Sequence, residues 1–216
     1  PPNACNLCHI DQSRAWTQVH LGKWYQHAPV TLPSSATNTS ALAQWLLEGH
    51  AAQRVIAAWH LGWRPAMTTG GGPWLQPLLA ATLSDDYGPV RFVAARSLRS
   101  QPGMAPFQYD FLADPARRAA VATQLMETAS APQQESRTAA RPERLQTSTG
   151  APDLPRIRES LARRPHEGGQ AGDIERLADA VLDHLDRLHR FRAGRGLLLG
   201  ALLGAALAVE HVGAGD

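Results

Sequence analysis

Cysteine is nearly absent: two residues in 216, Cys5 and Cys8, stand three positions apart at the start of the chain. So few thiols cannot staple a chain of this length, which excludes a disulfide scaffold. Aromatic residues amount to only 6%, with four Phe and three Tyr, yet six are Trp, and Trp16, Trp24, Trp45 and Trp59 fall before residue 60. The formal net charge is +2 and no block of five or six like charges occurs, so charge gives no reason to expect nucleic acid or an anionic membrane as partner. There is no G-x-S-x-G and no H-E-x-x-H, and Gly70–Gly72 runs into Pro73 rather than a Lys-Ser/Thr ending. Hydrolase, zincin and phosphate-loop chemistry therefore have no motif here.

What the two cysteines are for is indicated by their neighbour. Cys5, Asn6, Leu7, Cys8 and His9 spell C-x-x-C-H. Two thiols at this spacing can each add to one vinyl group of a single porphyrin, and the adjacent imidazole is then held beneath the iron. Other chemistries also use paired cysteines. A structural zinc site needs two more strong ligands, and no second C-x-x-C supplies them. A thioredoxin-like pair sits where a strand opens into a helix, whereas only Pro1 to Ala4 precede the motif. A chance spacing or a simple disulfide is the remaining alternative. Covalent haem c is the favoured reading, with Cys5, Cys8 and His9 as cofactor-binding residues and His9 as the proximal iron ligand. Haem c is attached outside the cytoplasm, so a periplasmic or otherwise exported location follows.

Nearly every periodic stretch has helical spacing, which predicts an all-α fold. Trp16, His20 and Trp24 recur at i, i+4 and i+8 and share one face of a helix expected from about Ile10 to Tyr25. Pro29 to Ser40 reads as a loop with Ser40 as an N-cap, followed by a helix over Ala41 to Glu48. A second helix is expected from near Gly49, carrying Val55, Ile56, Trp59, His60 and Trp63 on an apolar stripe. Pro73 is placed to open a helix through Leu83, and Pro89 another holding Val90, Phe92, Val93, Ala94 and Leu98 after the Asp85, Asp86, Gly88 turn. Helix pairs of this length can stack into an α-solenoid in which each unit buries its apolar face against its neighbours. An irregular helical bundle is the plainer alternative.

The segment LSDDYGPVRFVAARSL (Leu83 to Leu98) resembles a HEAT repeat, and GHAAQRVIAAW (Gly49 to Trp59) looks like a weaker copy with Arg54 in the place of Arg91. The run NACNLCHIDQSRAWTQVHLGKWY (Asn3 to Tyr25) is similar to the final haem segment of a family of exported multihaem c-type cytochromes, related to the doubled C-x-x-C-H proteins. Members of that family continue into HEAT-like or tetratricopeptide-like helices. The strings AQRVIAAWHLGW (Ala52 to Trp63), PWLQPLLAATLSDDYGPVRFVAARSL (Pro73 to Leu98) and PFQYDF (Pro106 to Phe111) are similar to that continuation. The resemblance covers about residues 3 to 113. It implies further haem segments upstream, which this chain does not contain. The chain is then a fragment, a small subunit, or a form whose other haems sit on a neighbouring chain.

Given haem, the distal iron position falls to another histidine or a methionine. His20 is the first candidate, since it lies one short helix beyond the motif and shares its face with two tryptophans. His60 is the runner-up, and could instead ligate a haem on a neighbouring polypeptide; His27, His50 and Met67 follow. Asp85 and Asp86 read as punctuation between helices, with Arg91 and Arg96 in salt bridges within the repeat. The resulting expectation is extracytoplasmic electron transfer with other cytochromes or redox proteins, an electron carrier rather than a catalyst. The alternative is a HEAT-repeat scaffold that docks onto other multihaem cytochromes.

The expected organisation is a haem segment over 1–36, HEAT-like helices over 37–128, a flexible linker over 129–155 and a C-terminal helical segment over 156–216. The linker expectation rests on its many Ala, Pro, Gln, Ser, Thr and Arg and on its having almost no large apolar residue. Beyond it, Asp173 caps an amphipathic stretch with Leu177, Val181, His184 and Leu188 along one stripe. The final apolar run, GLLLGALLGAALAV at 196–209, is shorter than the roughly twenty residues that span a bilayer. A buried hairpin partner is favoured over membrane association.

Overall fold

Local capping explains most of the helix starts. The computed structural model describes residues 3–130 and 141–165, and among these ten α-helices follow one another with no strand. The fold is all-α, as expected. Helix α1 is Ala4–Cys8 and α2 is Arg14–Tyr25. The helix expected from Ile10 starts four residues later because the Ser13 hydroxyl accepts from the Trp16 N–H at 3.3 Å and fixes the N-terminus there. Helix α3, Ser34–Asn38, lies inside the stretch expected as loop. Helix α4, Ala41–Glu48, has the expected bounds, with Ser40 as its cap: the hydroxyl accepts from the Ala43 N–H at 3.1 Å and donates to the Ile10 carbonyl.

Helix α5, Ala51–His60, begins with a reciprocal capping box between His50 and Gln53. Trp63 is not part of it. The chain turns after Leu61, and Trp63 precedes a further helix, α6, Arg64–Gly70, with Pro65 in its first turn. Helix α7, Leu75–Ala81, starts beyond Pro73 with Trp74 as its cap residue, and α8, Gly88–Arg99, has Pro89 in its first turn as expected. Helix α9 is Pro115–Ser130; a 3₁₀ turn at Pro142–Arg144 precedes α10, Leu154–Ala162.

The core is made where α4 packs on α5, α5 on α8, and α7 on α8 and α9. Leu42, Leu46 and Leu47 of α4 and Leu75, Leu78 and Leu79 of α7 are all fully buried. Each such leucine contributes about 1.5–3 kcal/mol by leaving water. The approach of α5 to α8 is close enough to require glycine. A Cβ on Gly62 would come within 2.8 Å of the Ser97 Cα, whose hydroxyl donates to the Ala58 carbonyl at 2.7 Å.

Two arginines staple these helices in the same way. Arg54 donates to the Gly49 carbonyl five residues earlier at 2.7 Å, and Arg91 to the Asp86 carbonyl five residues earlier at 2.8 Å. Each also reaches outward: Arg54 grips Asp85 through two bonds of 2.9 and 3.1 Å, and Arg91 donates to the Phe111 carbonyl at 2.8 Å. Arg91 thus satisfies carbonyls rather than forming the salt bridge expected of it; burial and the nearby Arg118 guanidinium push its pKa down. Asp85 is the acidic partner in this region, shared with Arg164 at 2.7 Å.

The linker expected over 129–155 is corrected by its described part. Residues 141–155 lie against the front of the chain: Leu145 is buried, the Asp153 N–H donates to the Leu145 carbonyl at 2.8 Å, and Gln146 bridges to Pro152. Helix α10 continues this by packing on α4, so 156–165 belongs with the front of the chain and not with a separate segment. Composition misled here because two leucines, Leu145 and Leu154, and several arginines, rather than a periodic apolar stripe, make the attachment. The stretch with His184 and the apolar run at 196–209 lie outside the described residues. No helix among the described residues is long and apolar enough to cross a membrane.

Candidate functional site

Asn3 opens the motif helix. Its side-chain oxygen accepts from the N–H groups of Cys5 at 3.0 Å and Asn6 at 3.4 Å, pairing donors that a first turn leaves unsatisfied. Helix α1 lasts only long enough to place Cys5 and Cys8 one turn apart on one side. The His9 N–H then closes the turn on the Cys5 carbonyl at 2.8 Å. Both cysteines are free thiols, and both, like His9, are half-buried.

The turn is held in place by a residue that sequence reasoning passed over. Asn6 is fully buried; its amide nitrogen donates to the Gln12 carbonyl at 3.2 Å, and its oxygen accepts from the Thr17 hydroxyl at 3.0 Å. The first variable position of C-x-x-C thereby ties α1 to α2. Two residues beyond His9, the buried Asp11 carboxylate accepts from Arg141 at 2.7 Å and Arg144 at 3.0 Å. Arg144 also sits over the Trp74 ring, 5.8 Å from its centroid. Nothing in the motif points to Asp11, Arg141 or Arg144, because their partnership spans 130 or more residues.

On α2 the i, i+4, i+8 spacing builds a stack of rings. His9 and Trp16 have centroids 4.8 Å apart, Trp16 and His20 4.2 Å, and His20 and Trp24 5.1 Å. His20 Nδ1 lies 2.9 Å from the Trp16 carbonyl oxygen. A carbonyl can only accept, so Nδ1 is the donor of this contact, and Nε2 is not part of it. Metal-ligating histidines are commonly oriented in this way, by a backbone carbonyl on the other nitrogen. The Trp16 indole contacts both imidazoles.

His60 is placed differently. It ends α5, is only 5% exposed, and lies edge-on to Trp59 at 4.9 Å and Trp63 at 5.4 Å. Burial lowers its pKa from 6.5 to about 4, against a hydrogen bond with the Leu7 backbone that raises it. Nδ1 is enclosed and has no hydrogen-bond partner. The remaining candidates are otherwise occupied or distant from the stack's centre: His50 caps α5, Met67 sulfur accepts from Gln101 at 3.4 Å, and His27 is exposed beside Tyr25.

Among the described residues no group of three or more His, Cys, Asp or Glu is close enough together to hold a metal ion. A haem does not ask for one, since its porphyrin supplies the equatorial ligands and the protein at most two axial ones. The donor set at α1 fits that group: two free thiols one helical turn apart, an imidazole next in sequence, and a cap that orders the turn. Compared with models of protein families, with curated proteins and with solved structures, the chain matches none.

Proposed function

We propose that this chain is an extracytoplasmic c-type cytochrome that carries one haem and passes electrons between other cytochromes or redox proteins. The observation that supports it is the capped single turn on which two free thiols and an imidazole stand side by side. Cys5 and Cys8 hold the porphyrin, each thiol adding its sulfur and hydrogen across one vinyl group with no net oxidation, and His9 holds the iron. The bound group supplies a one-electron couple, ferrous to ferric. His20 is the distal ligand in this reading, because its Nδ1–H is committed to the Trp16 carbonyl and Nε2 is not. A porphyrin between His9 and His20 requires the Trp16 indole to leave the stack.

The same proposal takes α4–α5 and α7–α8 as HEAT-like pairs, with Arg54 and Arg91 at equivalent places, each returning to a carbonyl five residues earlier. A second reading, a scaffold that docks onto other haem proteins, is favoured by the exposure of Val19, Trp24, Tyr25 and Val30 near the motif.

The test is direct. The chain exported in a host competent for cytochrome maturation should give a pyridine haemochrome spectrum and an intact mass corresponding to one attached haem, and the C5S/C8S double variant should be colourless. Parent protein that emerges colourless with both thiols free ends the proposal. A redox titration of the isolated holoprotein then separates carrier from scaffold, since a carrier exchanges electrons with soluble donors unaided.

A further inference from the structure

His9, Ile10, Asp11 and Gln12 carry the chain out of the motif helix, and the path they take sets how the His9 ring is presented. They form a closed turn. The Gln12 N–H donates to the His9 carbonyl at 3.0 Å, which puts Asp11 at the third place of the turn. Outside residues hold its other carbonyls: the Ser40 hydroxyl donates to that of Ile10, and the Ala41 N–H to that of Gln12 at 3.0 Å. Asp11 makes the long-range tie. It is only 4% exposed, and its carboxylate accepts from Arg141 at 2.7 Å and Arg144 at 3.0 Å, while Arg141 also reaches the Gln12 side-chain oxygen at 3.4 Å. The seat is shaped for it. A Cβ on Gly70, at the end of α6, would stand 2.6 Å from the Asp11 Oδ1 and 3.2 Å from the Asp11 nitrogen. The arginines are anchored in turn, since the Ser40 N–H donates to the Glu143 carbonyl at 2.7 Å and Arg156 to the Pro142 carbonyl at 3.1 Å. Ser40 therefore touches both the turn and the segment that grips it.

We propose that Asp11 is a positioning residue for the proximal histidine: by fastening the His9–Gln12 turn to Arg141 and Arg144 it fixes the orientation of the His9 imidazole, and residues 141–144 belong to the haem site. The inference rests on the haem reading above. A buried carboxylate with cationic partners is a poor source of stability, since well-packed apolar residues of the same volume often do as well. What it gives is one geometry. Charge-assisted bonds to a guanidinium fork are short and directional, and here they end inside the same four-residue turn as the histidine. Partners beyond the ligand itself orient an axial imidazole and thereby tune the potential of the iron.

The experiment uses the full chain matured with haem and breaks the contact from either side. D11N keeps the shape and removes the anion, R141Q/R144Q removes both cations, and R141K/R144K keeps the charges. D11N and R141Q/R144Q should each retain one attached haem and shift the ferric EPR g values in the same direction, with a changed midpoint potential, and R141K/R144K should lie closer to the parent. Parent-like g values and potential in D11N overturn the proposal. So do potentials that move in opposite directions for D11N and R141Q/R144Q with g values unchanged, because the contact would then act by charge alone. Should D11N not fold, the single variants R141Q and R144Q, each of which leaves Asp11 one cation, are read in the same way. In the haem-free chain, the Gln12 amide proton should exchange with solvent faster in R141Q/R144Q than in the parent, while the amides of α7 keep their rates. Equal Gln12 rates refute the anchor. That reading needs no haem, so failure of the haem proposal and failure of the anchor are separate results.

Discussion

The helices α4 to α8 and the aromatic face of α2, separated in sequence by residues 26–40, obey opposite rules. In α4, five of eight positions are buried, three of them leucines, whereas α2 buries Thr17 alone and leaves Trp24 60% and Tyr25 68% exposed. The first region is held by apolar burial and by arginines that satisfy carbonyls. The second is held by polar contacts from Thr17 to Asn6 and from Val30 to Gln18, and by a stack of rings. The difference teaches that α2 keeps most of its rings at the surface, while the helical body α4–α8 supplies the apolar burial that stabilises the chain. On the proposed reading, the haem chemistry sits on the region that contributes least to folding.

The contrast can be broken from the stable side. D85A removes the carboxylate that neutralises buried Arg54 and also serves Arg164, and should lower stability by about 3–5 kcal/mol in denaturant unfolding. L46A should cost about 2–5 kcal/mol by the cavity it leaves, whereas W24A on the opposite region should change the midpoint by roughly 0.5 kcal/mol or less. Equal costs for these two would erase the distinction between the regions.

His60, buried at the end of α5, makes stability depend on pH. Its pKa falls to about 4 in the folded chain from 6.5, so the unfolded chain binds more protons between those values and stability declines as pH drops through that window. The full contribution is present above about pH 6.5 and is lost by about pH 4, roughly 3 kcal/mol in all. Unfolding measured across this range should lose that slope in H60Q. At the contact between α1 and α2, T17V removes the hydroxyl that donates to Asn6 and should cost about 1 kcal/mol.

Much of the helical body was readable from local pattern. Ser40 as a cap, the bounds of α4, and Pro89 in the first turn of α8 depend only on residues within one turn of each other. Two elements were not separated by that logic. Trp63 continues the apolar stripe of α5 by spacing, yet the chain turns at Leu61, and Arg64–Gly70 forms a helix of its own. The stretch at 141–155 has the composition of a linker, and its attachment through Arg141 and Arg144 to Asp11 leaves no periodic trace. At the candidate site, the cysteines and His9 were legible as a motif, while Asn6, which holds the turn, occupies a position the motif leaves free.

By itself the amino-acid sequence determined the helical class, the places where caps and prolines start helices, and the grouping of two thiols with an imidazole, because each depends on neighbours within four residues. Only the tertiary structure decided that His20 stands in a stack of rings beside the motif while His60 is enclosed between Trp59 and Trp63. Both residues lie on helices and both keep tryptophans nearby in sequence. What separates them is which other helix covers the ring, a matter of burial and of partners brought together across tens of residues, and no local spacing carries that information.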